Sequence, residues 1–558
     1  RIRIYSGGIV VKYLTTKLIL TLFLLGAFSS CEDDPNDLPK LKINIFGYAS
    51  GEFTPSLPTF DDAAKLSLKI SDPQTGAITS EKVFDIAKGS GQLPALDFAE
   101  NIRLNVDVVD GAGVVLASGA TPIFDFTPEL SARDFRVQVQ RVKTFAPYGS
   151  VVIDRATNGR KYDQSVFDYR SESKSWLGRI GHQSALLSDG RVLVVGGGDP
   201  IAGSSAGGTP SFRNLYDDVQ IFDPETGYFS NLDYNDATGE RAGTEKLSAP
   251  VVFHTLSAIG DDRFIVVGGY TKKVDQLRPV NTIHVIDMNK PVGERVKLML
   301  ANDGSSVTLL RGRAYHSATY RASDKKLIIA GGIGPASTTE ALKTFEIIDV
   351  ETQSAGEDTF DLQAPRARHA ATLLADGTIW LSGGLHEDNV IRTTESISGD
   401  SSTEEGKMEI GRFGHAAFIP KGNVGLLTVV GGFTNTDGTA TSTYEFAKLG
   451  RGDFSSDTSW NLPDKRGGID FIELANGEVL LFGGANKGED TRDDVVRLNF
   501  KGLAESSPFE TATEGKGIDE RFQPSVTMLT SGRILVIGGS SLLDGNAAAL
   551  DSAEVYNP

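Results

Sequence analysis

Residues 179–198 read RIGHQSALLSDGRVLVVGGG. An Arg precedes a His, an apolar run leads to the turn Ser188-Asp189-Gly190, and a second run, Val192 to Val195, ends in Gly196-Gly197. Two apolar runs joined by residues that accept left-handed backbone make a β-hairpin, and the glycine pair marks its exit. The pattern recurs to the last residue. Glycine pairs stand at Gly196-Gly197, Gly268-Gly269, Gly331-Gly332, Gly383-Gly384, Gly431-Gly432, Gly483-Gly484 and Gly538-Gly539, seven in all. The runs before them are VLVV, FIVV, LIIA, IWLS, LTVV, VLLF and ILVI.

Upstream of the first five pairs, one slot is held by His182, His254, His316, His369 and His415; Asp470 and Ser525 are expected to hold it in the last two copies. Arg179, Arg313, Arg366, Arg412, Arg466 and Arg521 stand just before that slot, and the second copy has Val251 instead. After each pair come a variable loop and a third strand-like run, with Thr394-Glu395-Ser396-Ile397 the weakest copy. A period of some tens of residues built only of strands points to a closed propeller. The sequence resembles the Kelch repeat family, whose blades are four-stranded sheets with a double glycine after the second strand. It departs from that family in lacking a Trp after most third strands. The implied fold is all-β, a seven-bladed Kelch-type propeller with the architecture of the galactose oxidase central domain.

The chain stops directly after the third strand of the seventh copy. An unfilled sheet edge exposes unpaired backbone groups, so residues 150–178, with the strand-like run Gln164 to Tyr169, are expected to close the last blade.

The repeated His and Gly residues read as structural, because a residue repeated in every blade answers a need that every blade has. The Arg row has two readings: a positive rim at one mouth of the propeller that clamps carboxylates, or bonding from blade to blade. No metal site and no cofactor are expected. Copper oxidases of the galactose oxidase type need a Tyr joined to a Cys, and Cys31 is the sole cysteine. A sugar epimerase or mutarotase at the mouth would need only a carboxylate and an Arg or His to move protons, and spacing nominates no such pair. Function is expected where the copies disagree, at Val251, Asp470, Ser525 and in the loops Asp199 to Asp217, Tyr270 to Asn281 and Gly334 to Lys343.

Upstream of the repeats, residues 41–147 alternate apolar and polar in short runs such as Leu66, Leu68, Ile70 and Leu104, Val106, Val108. Period-two strands between turns predict a β-sandwich spacer of immunoglobulin-like or transthyretin-like pattern. Residues 1–31 read as leader: Lys12 and Lys17 precede an apolar run from Leu18 to Phe28, too short for a comfortable membrane span. Phe28-Ser29-Ser30-Cys31 resembles the lipobox of bacterial lipoproteins, which implies lipidation at Cys31 and an outer-membrane lipoprotein of the cell envelope. Residues 32–40 are an acidic tether that cannot pack.

The 558 residues carry a net charge of -18, which argues against nucleic acid, since phosphate binding needs a surplus of Lys and Arg. The expected molecule is a monomeric, membrane-anchored lipoprotein whose propeller is a non-catalytic platform for an envelope protein or glycan. It touches the membrane through its lipid alone. The alternative is a carbohydrate-active enzyme.

Overall fold

The computed structural model describes residues 10–14, 17–25, 40–47, 63–71, 78–85, 99–120, 124–126, 134–148, 150–154 and 159–163, then 178–558 with short interruptions, the longest at 202–207 and 503–508. All the elements it describes are strands.

From residue 183 onward the strands form seven successive antiparallel sheets. Blade 1 contains Gln183–Leu186, Val192–Val195, Val219–Asp223 and Tyr228–Asn231, hydrogen-bonded in that order. Blades 2, 3, 4, 5 and 6 follow over 255–298, 317–361, 370–407, 416–448 and 470–521. Thr393–Ser398, the weakest copy by sequence, pairs with Ile379–Ser382 as a regular third strand.

The seven second strands are buried on both faces, which explains why they read as unbroken apolar runs instead of alternating. Each contributes to the contact with the blade before and the blade after. Seven apolar clusters result, one per junction. At the junction that closes the ring, Val194, Phe222 and Phe229 of blade 1 meet Leu535, Ile537 and Val555 of blade 7.

Blade 7 consists of Ser525–Met528, Ile534–Ile537 and Ala553–Asn557, and its fourth strand is Thr144–Tyr148. Thr144 pairs with Asn557 and Tyr148 with Ala553. The closing strand therefore lies upstream of residues 150–178, where it was expected. Ser150–Asp154 instead pairs with Gly159–Asp163 in a separate hairpin, and 164–177, including Trp176, fall outside the described residues. Pro147 disguises the strand in the sequence, because proline is tolerated only on an outer strand where its missing N–H costs no ladder bond.

The N-terminal strands are joined along one hydrogen-bonded path: Val10–Leu14, Lys17–Leu25, Lys40–Gly47, Asp134–Arg141, Val115–Ala120, Ala99–Asp110, Ala63–Ser71 and Ile78–Asp85, with Phe124–Phe126 also on Ala99–Asp110. Leu66, Leu68, Leu104, Val106, Val108 and Ala117 form its buried side. Lys40–Gly47 runs parallel to Asp134–Arg141, so removal of a leader ending before Cys31 would leave Lys40–Gly47 as the sheet edge. Asp134–Arg141 leads through Val142-Lys143 directly into Thr144–Tyr148 of blade 7. Asn557 Nδ2 donates to Gln140 O at 2.7 Å, and Gln140 Nε2 donates to Val555 O at 2.8 Å.

Candidate binding face of the propeller

The repeated residues are spent on one another. Each Arg of the row lies buried and donates to the carbonyl of the first glycine in its own repeat: Arg179 to Gly196 at 2.9 Å, Arg366 to Gly383 at 2.6 Å, Arg412 to Gly431 at 2.8 Å, and likewise Arg313, Arg466 and Arg521. Each also pairs with an acid at the third strand of that repeat. The pairs are Arg179–Asp218, Arg313–Glu346, Arg366–Glu395, Arg412–Glu445, Arg466–Asp494 and Arg521–Glu554. No Arg of the row presents a positive rim: each is buried against the carboxylate and the glycine carbonyl just named, and Arg521, at the end of the last strand of blade 6, makes these bonds to blade 7. A guanidinium offers five donors in a plane, which suits a buried site with one carboxylate and several carbonyls.

Blade 2 shows why its Val251 is not a functional departure. The acid of its third strand is also replaced, by His284, so arginine and carboxylate have been exchanged together. In blades 3 and 4 the acid accepts a backbone N–H three residues before the Arg, Leu310 and Gln363 respectively, each at 2.7 Å. His284 Nε2 accepts the equivalent N–H of Ser248 at 2.9 Å. Burial holds this imidazole down to about 4, so it makes the same bond uncharged.

The glycine pairs join one blade to the next. The second glycine donates its N–H to the Arg carbonyl of the following blade, as Gly269 to Arg313 at 2.9 Å, Gly332 to Arg366 at 2.9 Å and, closing the ring, Gly539 to Arg179 at 3.0 Å. A Cβ on Gly331 would sit 2.2 Å from Arg366 O. Next to this contact are the His residues. His182, His316 and His369 bond through Nε2 to Ser525, Thr255 and Ser317 of the preceding blade at 2.9, 3.0 and 2.9 Å, and His415 bonds Ser382 at 2.8 Å. Desolvation pushes His182, His254 and His369 down to about 3, so they are neutral.

The slot in the last two blades is not where the sequence placed it. Ile469 and Pro524 lie against the glycine pairs as the histidines do elsewhere, one residue before Asp470 and Ser525. Ser525 instead takes the position of Thr255 and Ser317, its hydroxyl hydrogen-bonded to the next blade's His182. Asp470 occupies this same position in blade 6. Its carboxylate accepts Phe471 N at 2.8 Å and Val526 N of blade 7 at 3.1 Å, and burial raises it to about 6.

Individuality appears one residue before the slot. There Gly181, Phe253, Tyr315, Arg368, Gly414, Gly468 and Gln523 all have left-handed backbone, with φ from 50 to 69°. Six N–H to C=O bonds link them in sequence, from Phe253 N to Gly181 O at 2.9 Å through to Gln523 N to Gly468 O at 3.2 Å. This collar needs positive φ at every position, so the bulky members are strained where glycine would be cheap. Phe253 and Tyr315 stack at 4.1 Å, and the Arg368 guanidinium lies 4.1 Å from the Tyr315 ring centre. Arg368 Nη2 also donates to Gly208 O and Thr209 Oγ1 at 2.8 and 2.9 Å, tying blade 4 to the loop of blade 1. Burial pushes Tyr315 up to about 12. Sequence reading did not single out these residues; the signal is the run Gly, Phe, Tyr, Arg, Gly, Gly, Gln at one position of otherwise matching copies.

On the same side, the loops after the glycine pairs rise as small hairpins: Gly198–Pro200 with Phe212–Leu215, Tyr270–Lys273 with Gln276–Pro279, Leu385–His386 with Asn389–Val390, and Ser540–Leu543 with Asn546–Ala549. Among the described residues no cluster of three or more His, Cys, Asp or Glu could hold a metal ion.

No known protein family matches the sequence, and no curated protein matches it. Among solved structures, the chain is similar to a fungal alcohol oxidase of the AA5 family in complex with copper, at 15% identity over 68% of this chain and 74% of that one, with a TM-score of 0.48. It is also similar to YjhT, at 13% identity over 60% of this chain and 97% of that one, with a TM-score of 0.39. Both likenesses are distant, and the fold is read from the sheets described above.

Proposed function

We propose that this chain is a Kelch-type lipoprotein, anchored through Cys31, whose propeller is a non-catalytic binding platform for an envelope protein or glycan. The observation that carries this reading is the division of labour within each blade. The repeated Arg, acid and Gly residues are engaged in buried bonds and the repeated His residues are packed between the blades, four of them bonded through Nε2, whereas the collar and the hairpins above it differ from blade to blade. Loops on a rigid scaffold are where recognition concentrates. The anchor and the envelope location rest on the sequence around Cys31, which lies outside the described residues.

Replacing the loops 199–217, 270–281 and 334–343 by short glycine-containing turns tests the platform. Loss of binding to envelope proteins or to a glycan array is the expected result, and unchanged binding would overturn it. The collar supports a second reading, an enzyme acting on sugars at the mouth, because Tyr315 and Arg368 form an asymmetric polar pair there. Anomer or epimer exchange of hexoses and sialic acids, followed by NMR and abolished in Arg368→Met, would replace the platform by that enzyme.

A further inference from the structure

The loop of blade 1 reaches across the propeller mouth. Arg368, whose Nη2 donates to Gly208 O at 2.8 Å and Thr209 Oγ1 at 2.9 Å, belongs to blade 4, as far from blade 1 as a ring of seven allows. Further along the same loop, Phe212 is 2% exposed and belongs to a buried apolar cluster with Phe253 and Tyr270 of blade 2, Ile333 and Ala341 of blade 3 and Ala367 of blade 4. Its ring meets Phe253 edge-on at 5.8 Å, and its carbonyl accepts Lys272 Nζ at 3.1 Å. Pro210, between these two fastenings, is buried as well. Residues 208–212, all of them described, are thus a strap fixed to blades 4 and 2 with Tyr315 of blade 3 between. The cluster that takes Phe212 is separate from those at the seven blade junctions, so the strap can leave without unpacking the ring.

The closed arrangement leaves three needs unmet. Phe253, Tyr315 and Arg368, the collar residues it covers, stand at φ 56, 54 and 53°, where blades 1, 5 and 6 have glycine. Backbone strain of this kind collects where side chains make functional contacts. The Tyr270 hydroxyl is buried in the same cluster with no hydrogen-bond partner among the described residues, a costly state for a polar group. Arg368 Nη2 bonds a carbonyl and a hydroxyl, both neutral, although a guanidinium bonds a carboxylate more strongly. A segment that brings a carboxylate to Arg368 improves on Gly208 and Thr209, and one that also brings an aromatic ring replaces Phe212.

We propose that residues 208–212 are an autoinhibitory strap. The mouth receives a protein segment carrying an aromatic side chain a few residues from a carboxylate, and that segment enters by displacing Phe212 from its cluster and Thr209 from Arg368. This rests on the platform reading and makes the partner an envelope protein.

The probe is the peptide amide Gly-Asp-Pro-Ser-Phe, the strap's own sequence with Asp in place of Thr, titrated calorimetrically into the full-length protein and two variants. Thr209→Ala removes an exposed hydroxyl and loosens the strap, whereas Thr209→Asp gives Arg368 a carboxylate on the strap itself and tightens it. Affinity scales with the fraction of open molecules, so binding should be about tenfold tighter in Thr209→Ala than in the unaltered protein and absent in Thr209→Asp. The same peptide ending in Ala should not bind. Hydroxyl-radical footprinting gives a second readout: oxidation of Phe212 should rise in Thr209→Ala, rise further with peptide, and fall in Thr209→Asp. Equal affinity in all three proteins, no binding to the loosened variant, binding of the Ala peptide, or Phe212 oxidation that ignores the peptide overturns the strap. The three-loop replacement removes the strap together with loops 270–281 and 334–343, so it judges the platform separately. Lost partner binding there alongside any of these results leaves the platform standing without its strap, and retained partner binding there defeats the platform whatever the peptide does.

Discussion

At the scale of single residues, the buried Arg–acid pairs dominate. Removing one partner of such a pair strands a charge, whereas replacing both with groups that satisfy the same bonds need not cost much. Arg412→Ala should therefore destabilise by about 3–5 kcal/mol in denaturant unfolding, because Glu445 would be left buried without its partner. Arg412→Val with Glu445→His, the combination that blade 2 already uses, should recover a large part of that loss. The titrating groups set a pH dependence in two opposing directions. His182, His254 and His369 have folded values near 3, below their ordinary 6.5, so their contribution is complete above pH 6.5 and is lost as pH falls from there towards 3. Asp470 is raised to about 6, so its neutral form is favoured, and the stability it lends below pH 3.8 is lost as pH rises through 6. Melting temperature should fall on acidification below pH 6.5. Asp470→Ser should raise stability at pH 7.5 by about 1 kcal/mol and give no gain at pH 3.5.

At the scale of the element, the hairpin with its glycine pair acts as a connector between blades as well as a turn. The first glycine needs positive φ and also faces the next blade's backbone, so two independent penalties meet there. Gly331→Ala, whose Cβ would fall 2.2 Å from Arg366 O, should cost about 3 kcal/mol or more. Gly304 has φ 82° but open space around it, so Gly304→Ala should cost only about 1 kcal/mol of backbone strain. A difference of that size between the two variants in chemical unfolding would separate the connecting role from the conformational one. Equal losses would reduce the glycine pair to an ordinary turn. The hairpins above the collar are built differently: their strands are short and their sequences unrelated, which leaves them free to vary without disturbing the junctions.

For the molecule as a whole, closure depends on five residues near the N-terminal region. A chain beginning at residue 150 lacks Thr144–Tyr148 and leaves the outer edge of Ala553–Asn557 unpaired, so it should melt lower and be cleaved near its C-terminus in limited proteolysis. A chain beginning at residue 142 keeps that strand and should resist cleavage, although it loses the two bonds through Gln140. If both behave alike, Thr144–Tyr148 does not hold the ring closed. What the sequence by itself determined was the repeat: seven glycine pairs, the apolar second strands and the Arg and His rows were legible because each blade needs the same local bonds. It also marked the loops after the pairs as the variable part. The tertiary structure alone decided what those rows do. Burial of Arg179 and its equivalents depends on acids some 30 residues away, Ile469 and Pro524 took the His slot by fitting the space beside the glycines, and Val251 made sense only with His284 beside it. The collar of Phe253, Tyr315, Arg368 and Gln523 and the strand at Pro147 were hidden for the same physical reason: each acquires its role from backbone pairing with distant parts of the chain, which local propensity does not encode.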